Sequence, residues 1–426
     1  MSVRGAVALG IGAMVGAGIF ALLGEAGAVA GNATWLAFLL GGVVATLLGY
    51  VVAKLGARYP SKGGRVTYVM EGFGPGHLAG IFSWLLYFAG IIITAMVAVS
   101  FGSYASALFI GEGASVTSAN LFTAGVIVGV AAIQIIGAEA IGKIQSLIVV
   151  ILMGVFAVFV VVTLGQMDSQ LLSPSLYPPV FNIVASIALT FFAYLGFAVI
   201  SYAGEDLPNP TRDLPRATYI ALGITTGLYI LISLGVFGTL TVDQVIAYGD
   251  TALAEAARPV LGDAGFAMMA VAALMATFTS VNANIYGAVG STSALAATGQ
   301  FPPVFGRRGR FGSTMGLTIS AVAILLLAVL ADLSQIASLG SAVALVIFIM
   351  VALAGLKLRA ETGSNTVIII LALLSTAVVL IVFGIQTFQD APQTFTAMIV
   401  VLALSAVLEY GWSAMRRKRR AAEPVG

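Results

Sequence analysis

The chain has 426 residues, 60% of them hydrophobic and only 8% charged, with 50 glycines, no cysteine and a net charge of +2. A soluble domain carries about 25% charged residues because water must wet its surface, so this composition excludes a soluble globular protein and makes lipid the main solvent. Without cysteine there are no disulfides, thiolate metal sites or cysteine nucleophiles, and a single histidine with few intramembrane carboxylates argues against an enzyme.

A spanning helix needs roughly 20 apolar residues at about 1.5 Å each. The apolar runs predict twelve spans. The first five are Gly5 to Leu23, Thr34 to Ala53, Leu78 to Phe109, Ser118 to Gly137 and Lys143 to Gly165. The next five are Val180 to Ala203, Arg216 to Leu240, Asp263 to Ala297, Thr314 to Ala331 and Ser334 to Leu356. Thr366 to Gln386 and Thr394 to Ala414 complete the set. The first run follows a single basic residue, Arg4, and is long enough to span, so it reads as a retained helix rather than a signal peptide. With both termini in the cytoplasm, every one of the 19 Lys and Arg residues except Arg258 falls on the inner side, as the positive-inside rule requires. Splitting the long third run would invert every later loop and destroy that agreement. The basic run Arg416 to Arg420 reads as a topological stop that also attracts anionic headgroups.

Two spans carry glycine-marked interruptions. In the first, Gly10 to Phe20 places Gly12, Gly16 and Gly18 at mid-span. Glycine bares the backbone and lowers the cost of leaving the helix, and the amides opening the next half-helix suit a carboxylate. The competing reading is a close-packing face, since Gly12 and Gly16 lie four apart. In the sixth, Phe191 to Ala198 places Gly196 among aromatics, just before an inner loop running from Gly204 to Arg216. Breaks in spans one and six occupy corresponding positions if five helices repeat inverted.

Together these segments resemble the amino acid–polyamine–organocation (APC) superfamily of transporters, the amino-acid permeases. Gly12 to Phe20 is similar to the first-helix glycine motif of that family, and Phe191 to Phe197 to its sixth-helix break. Glu205 to Pro210 through Pro215 and Arg216 resembles the loop that follows. Gly56 to Pro60 with Gly63 and Gly64, then Glu71 to Gly74, resembles the first inner loop, and Ser280 to Ala283 the eighth helix. The matches fall in family order over ten helices.

The resemblance implies an all-α polytopic membrane protein with a LeuT-like core of 5+5 inverted repeats and two peripheral helices. Residues 1–165 would hold the first repeat, 166–360 the second, 361–415 the peripheral pair and 416–426 a basic cytoplasmic tail. It implies a secondary transporter of the cell membrane, working by alternating access, with an amino acid and the lipid bilayer as partners, no nucleic acid and no cofactor. The amides of Gly16, Ala17 and Gly18 would bind the solute carboxylate, and the carbonyls of Met14, Phe192 and Leu195 its ammonium group. Phe197, or a neighbouring aromatic such as Phe192, would cover it.

Cation-selecting members have an acidic residue where this chain has Ala198, which points to neutral solutes. Proton-coupled relatives carry a lysine within helix five; Val149 to Met153 has none, and Lys143 at its inner start reads as an anchor. The hydroxyls of Thr279 and Ser280 are candidate oxygen ligands for Na+, against the ordinary reading that they bond back to their own helix. The coupling ion is therefore Na+ or H+. Glu205 and Asp206 with Arg58, Arg212 or Arg216 form a candidate inner gate, and His77 reads as a solvated loop residue. Polyamine or inorganic-cation transport is the rival within the superfamily. A channel would need a pore ring or selectivity loop, and none stands out.

Overall fold

A computed structural model describes residues 1–61, 63–136, 141–297, 299–308 and 314–422; within these ranges the side chains at 17, 112, 136, 141–146, 203, 205, 288–291, 294 and 417–422 are not described. Lys62, Gly137 and Arg310 lie outside the described residues, as do the side chains of Ala17, Lys143, Glu205 and the run Arg417 to Arg420.

The described chain is all-helical, without named strands. By length and composition, ten of its helical segments are long and apolar enough to cross a membrane, and Val3–Gly16 and Met315–Leu330 are shorter apolar helices. The run Ile19–Arg58, one of the ten, bends at a 3₁₀ turn over Gly31–Ala33, where Gly31 takes φ 52°.

In chain order the helices are α1 (Val3–Ala17), α2 (Ile19–Ala30), α3 (Thr34–Arg58), α4 (Arg65–Phe73), α5 (His77–Ile110), α6 (Val116–Ile136) and α7 (Ile141–Gln166). Then come α8 (Val180–Ala193), a 3₁₀ segment over Leu195–Asp206, α9 (Pro210–Phe237), α10 (Val242–Tyr248) and α11 (Ala252–Glu255). The remainder are α12 (Arg258–Ala297), α13 (Met315–Leu330), α14 (Leu333–Lys357), α15 (Arg359–Thr362), α16 (Thr366–Asp390) and α17 (Pro392–Ala422).

The first span departs from its expected bounds. It runs on past Leu23 to Ala30 because Gly24 and Gly27, which look like breakers in sequence, are packing positions. A Cβ on Gly24 would lie 2.5 Å from Gly249 O, and one on Gly27 2.5 Å from Phe237 Cζ. The first inner loop is not all loop, since α4 forms within it. The seventh helix starts at Pro210 instead of Arg216, because proline suits the first turn, where the N–H is unbonded anyway. The eighth keeps its expected start at Asp263 in effect: Gly262 takes φ 64° and separates the preceding turn.

Burial sorts the helices. The most apolar stretch of Val180–Tyr202, α8 with the start of the 3₁₀ segment, is 78% buried, whereas those of α6 and α17 are 22% buried, so the first is core and the others form the periphery. Around the core, α1 packs on α9, α12 and the 3₁₀ segment, α2 on α8, α3 on α8 and α9, and α5 on α12, α6, α14 and α17. Arg258, the basic residue that departs from the inner-side pattern, is neutralised locally by Glu255 and Asp263, with its guanidinium 4.4 Å from the Phe266 ring centroid.

Close helix crossings rest on glycine, as expected where lipid offers no hydrophobic drive. A Cβ on Gly102 of α5 would lie 3.0 Å from Thr123 N of α6 and closer still to Thr123 Oγ1 and Ala119 O. Gly102→Val should therefore overpack this crossing, costing roughly 1–3 kcal/mol and lowering the melting temperature in detergent. Gly125→Ala, where a Cβ meets nothing within 4 Å, should leave the melting temperature unchanged or raised.

Candidate functional site

The two interruptions read from sequence are present and meet. α1 ends at Ala17 and α2 begins at Ile19, with Gly18 between them donating its N–H to Met14 O at 2.9 Å. α8 ends at Ala193, and Tyr194 turns the chain into the 3₁₀ segment by donating its N–H to Phe191 O at 2.9 Å. Twelve residues of 3₁₀ helix, Leu195–Asp206, is far beyond the usual three or four and marks a strained or hinged segment.

Glycine is required at both breaks by proximity. A Cβ on Gly18 would lie 2.5 Å from Ala193 O, 2.6 Å from Tyr229 Oη and 2.8 Å from Met14 O. A Cβ on Gly196 would lie 2.8 Å from Ala13 O and closer still to Met14 N. The two backbones are thus in contact, which satisfies the condition that opened backbone at membrane depth be buried in protein.

Tyr229 of α9, fully buried, closes the junction. Its hydroxyl donates to Met14 O at 2.8 Å and lies 3.3 Å from Ala193 O, so one side chain links a carbonyl from each break. Its ring packs at 5.3 Å on Phe38 and 5.1 Å on Tyr194, whose own hydroxyl donates to Phe38 O at 2.9 Å. Sequence reasoning missed Tyr229; an aromatic with a polar tip at the centre of an apolar span was the available signal.

The expected site residues fall around this junction. Met14, Gly16 and Gly18 line the α1 side. A Cβ on Gly16 would lie 3.3 Å from Ala276 O and 3.5 Å from Ser280 Cβ, so Gly16 also serves as a packing position against α12. Gly16 and the Ala17 backbone belong to α1, so the N-terminus of the second half-helix is the first turn of α2. Phe192 is buried at the end of α8 with its ring over Gly340 of α14. Phe197 is fully buried, 5.3 Å from the Phe348 ring of α14 and near Gly49 of α3, and Leu195 is half-buried.

Thr279 bonds back to Met275 O and Ala276 O at 2.9 Å, and Ser280 Oγ accepts from Asn284 Nδ2 at 3.4 Å. At the C-terminal end of α3, no described ion pair joins Arg58 to Asp206; the Arg58 guanidinium stacks on Tyr59, and Asp206 O accepts from the Met1 nitrogen at 2.5 Å. Asp206 thus meets the first residue through its backbone, and the Glu205 side chain of the expected gate lies outside the described residues. Tyr59 instead donates to Glu361 Oε2 at 2.6 Å, and desolvation together with that carboxylate pushes its phenol up to about 12. His77 is not a solitary loop residue: its Nδ1 lies 3.3 Å from buried Glu409 of α17.

At the other end of α2, Glu25 hydrogen-bonds with Ser334 and lies within electrostatic reach of Asp250 and Asp332. Asp250 accepts from Ser103 Oγ at 2.5 Å, and burial pushes its carboxyl up.

Comparison with known proteins adds an independent finding. Residues 1–405 match the family described as amino acid permease. The inner membrane transport protein YbaT of Escherichia coli (strain K12) is 32% identical over 403 residues, covering 94% of this chain and 94% of that one. The methylthioribose transporter of Bacillus subtilis (strain 168) is 28% identical over 313 residues, 70% of this chain and 67% of its own. The serine/threonine exchanger SteT of the same organism is 28% identical over 304 residues, 70% and 68%.

Tyr229→Phe should leave the buried Ala193 carbonyl without its hydroxyl partner, a loss of about 1–3 kcal/mol. The variant's melting temperature in detergent should fall measurably, while exposed Tyr248→Phe should not change it.

Proposed function

This chain belongs to the amino acid permease family, and on that premise we propose that it is a secondary transporter of neutral amino acids working by alternating access. It is a multi-pass integral membrane protein. The observation that carries the reading is the contact between the α1–α2 break and the α8 break, because neutral, opened backbone is what a zwitterion needs where charged side chains are too costly.

In this reading the membrane-crossing elements number twelve: α1 with α2, α3, α5, α6, α7, α8 with the 3₁₀ segment, α9, α12, α13, α14, α16 and α17. Residues 1–165 and 166–360 form the inverted repeats of a LeuT-like core, α16 and α17 are peripheral, and both termini face the cytoplasm. Breaks in the first element of each half support the repeat, and the segregation of basic residues supports the orientation.

The solute carboxylate faces the positive end of the α2 dipole, beside Gly16, Ala17 and Gly18. Those three amides are engaged or helical in this conformation, so their use requires the last turn of α1 to open. The ammonium group takes carbonyls at Met14, Phe192 and Leu195, displacing the Tyr229 hydroxyl from Met14 O. Phe197, or a neighbouring aromatic such as Phe192, provides the aromatic cover. Ala198, buried beside the break, offers no charge for a cationic side chain, and the similarity to a serine/threonine exchanger supports a neutral solute. Coupling is to Na+, with Thr279 and Ser280 as ligands once their helix bonds exchange, or to H+.

A cationic solute, such as a polyamine, is the second reading. Glu25, Asp250 and Asp332, gathered at the outer end of α2, favour it by drawing cations to the entrance.

Uptake of labelled amino acids and amines into proteoliposomes, with and without Na+ and pH gradients, tests both. Accumulation of neutral amino acids is expected; uptake of amines alone would establish the second reading. Gly18→Val should abolish uptake, because its side chain would enter the space of Ala193 O and Tyr229 Oη. A monodisperse Gly18→Val protein transporting at the unsubstituted rate would refute the junction as the binding site.

A further inference from the structure

Phe192 is the penultimate residue of α8, in the last turn before the break. Its ring is nearly fully buried and points to α14, where Gly340 stands. A Cβ on Gly340 would lie 2.7 Å from Phe192 Cε1, closer still to Phe192 Cζ, and 3.0 Å from Ile92 Cγ2 of α5. Real Cβ atoms do not approach carbon so closely, so the ring occupies a slot that exists only because position 340 has no side chain. Ile92 forms the other wall.

The backbone around Phe192 is pinned on both sides. Thr190 donates its hydroxyl to Ala37 O at 2.8 Å, Phe191 packs edge-on against Phe348 at 5.5 Å, and Tyr194 donates to Phe38 O at 2.9 Å. These ties hold the last turn of α8 against α3 and α14. A side chain added at 340 therefore cannot be relieved by moving α8; it acts on the Phe192 rotamer, and three staggered wells are the choices open to it. The residue after Phe192, Ala193, presents its carbonyl to Gly18 and Tyr229. The ring and its slot thus stand one residue from the carbonyl at which the two breaks meet.

We propose that Gly340 determines which solutes the protein accepts: by receiving the Phe192 ring, it keeps room beside the breaks for a bulky neutral side chain. This rests on the junction being the solute site. Position 340 meets the Phe192 ring and Ile92 rather than the amides and carbonyls proposed to hold the carboxylate and ammonium groups, so it acts through that ring on the side-chain end of the solute and is a positioning residue.

The test measures KM and maximal rate for alanine, serine, leucine and phenylalanine uptake in proteoliposomes of the full chain. In Gly340→Ala the ratio of KM for leucine or phenylalanine to KM for alanine should rise by about tenfold, the scale on which a hydrophobic pocket separates solutes by a carbon or two. Adding Phe192→Ala should return the ratio toward its starting value. Phe192→Leu alone, which leaves Gly340 intact, should shift the ratio towards larger solutes, a gain that misfolding does not imitate. An unchanged ratio in Gly340→Ala, or an equal loss for every solute that Phe192→Ala fails to repair, would overturn the proposal and leave amino-acid transport standing. Should Gly340→Ala not fold, an unchanged ratio in Phe192→Leu overturns it equally. Absence of uptake for every amino acid by the unsubstituted protein would instead overturn the transport reading beneath it.

Discussion

Backbone touches backbone where Gly196 meets Ala13 and Met14 and where Gly18 meets Ala193, and that approach constrains everything around it. Two backbones can come so near only where one of them carries no Cβ at the contact, and an interrupted helix can survive at membrane depth only where its freed groups find partners. Each condition supplies the other. The breaks bare the carbonyls, the glycines let them converge, and convergence lets one hydroxyl, that of Tyr229, serve both. A charged side chain at this place would bring a desolvation cost of several kcal/mol or more. The sequence supplies none: Gly18, Gly196 and Ala198 leave the centre neutral.

The partners of the half-helices divide the core in two. On one side of the breaks, α1 lies along the 3₁₀ segment: a Cβ on Gly10 would lie 2.8 Å from Ile200 Cγ1, as Gly196 meets Met14. On the other side, α2 lies along α8, where Ser186 donates to Ala26 O at 3.1 Å. Each pair packs within itself more extensively than across the breaks. Tyr229 spans the boundary, because Met14 O belongs to the first pair and Ala193 O to the second. The charge distribution respects the same division, with carboxylates Glu25, Asp250 and Asp332 around α2 and the backbone tie at Asp206 near the start of α1.

Much of this was legible because the breaks are written locally. Gly16-Ala17-Gly18 and Tyr194-Leu195-Gly196 locate the interruptions to within a residue or two, and apolar runs locate the helices. What escaped is what depends on a distant partner. The expected end at Leu23 is passed because Gly24 and Gly27 sit against Gly249 and Phe237, and the helix continues. Helix α4 escaped because glycines punctuate it on both sides and its nine residues are too few to span. Tyr229 looks like any aromatic in an apolar span until Met14 O is placed beside it. Gly340 carries no motif at all, since its meaning lies in a ring contributed from 148 residues earlier in the chain (340 − 192). The hydroxyl of Thr279 was read two ways, and in this conformation it bonds back to its own helix.

The two breaks are not equivalent, and the difference follows from their hydrogen bonds. The first is a single residue, with Gly18 N–H bonded to Met14 O before it and Leu22 N–H bonded to Gly18 O after it, so helical pairing resumes within one turn. The second opens into twelve residues of 3₁₀ helix, whose bonds are less well aligned than those of an α-helix. Rewinding or extending that segment therefore changes backbone energy less than opening α1 would. The same segment is held to α1 through Gly196, where no side chain intervenes. Any change in the 3₁₀ segment is thereby delivered directly to Met14, the residue whose carbonyl carries the Tyr229 bond, and the weaker of the two breaks acts upon the stronger through the closest contact between them.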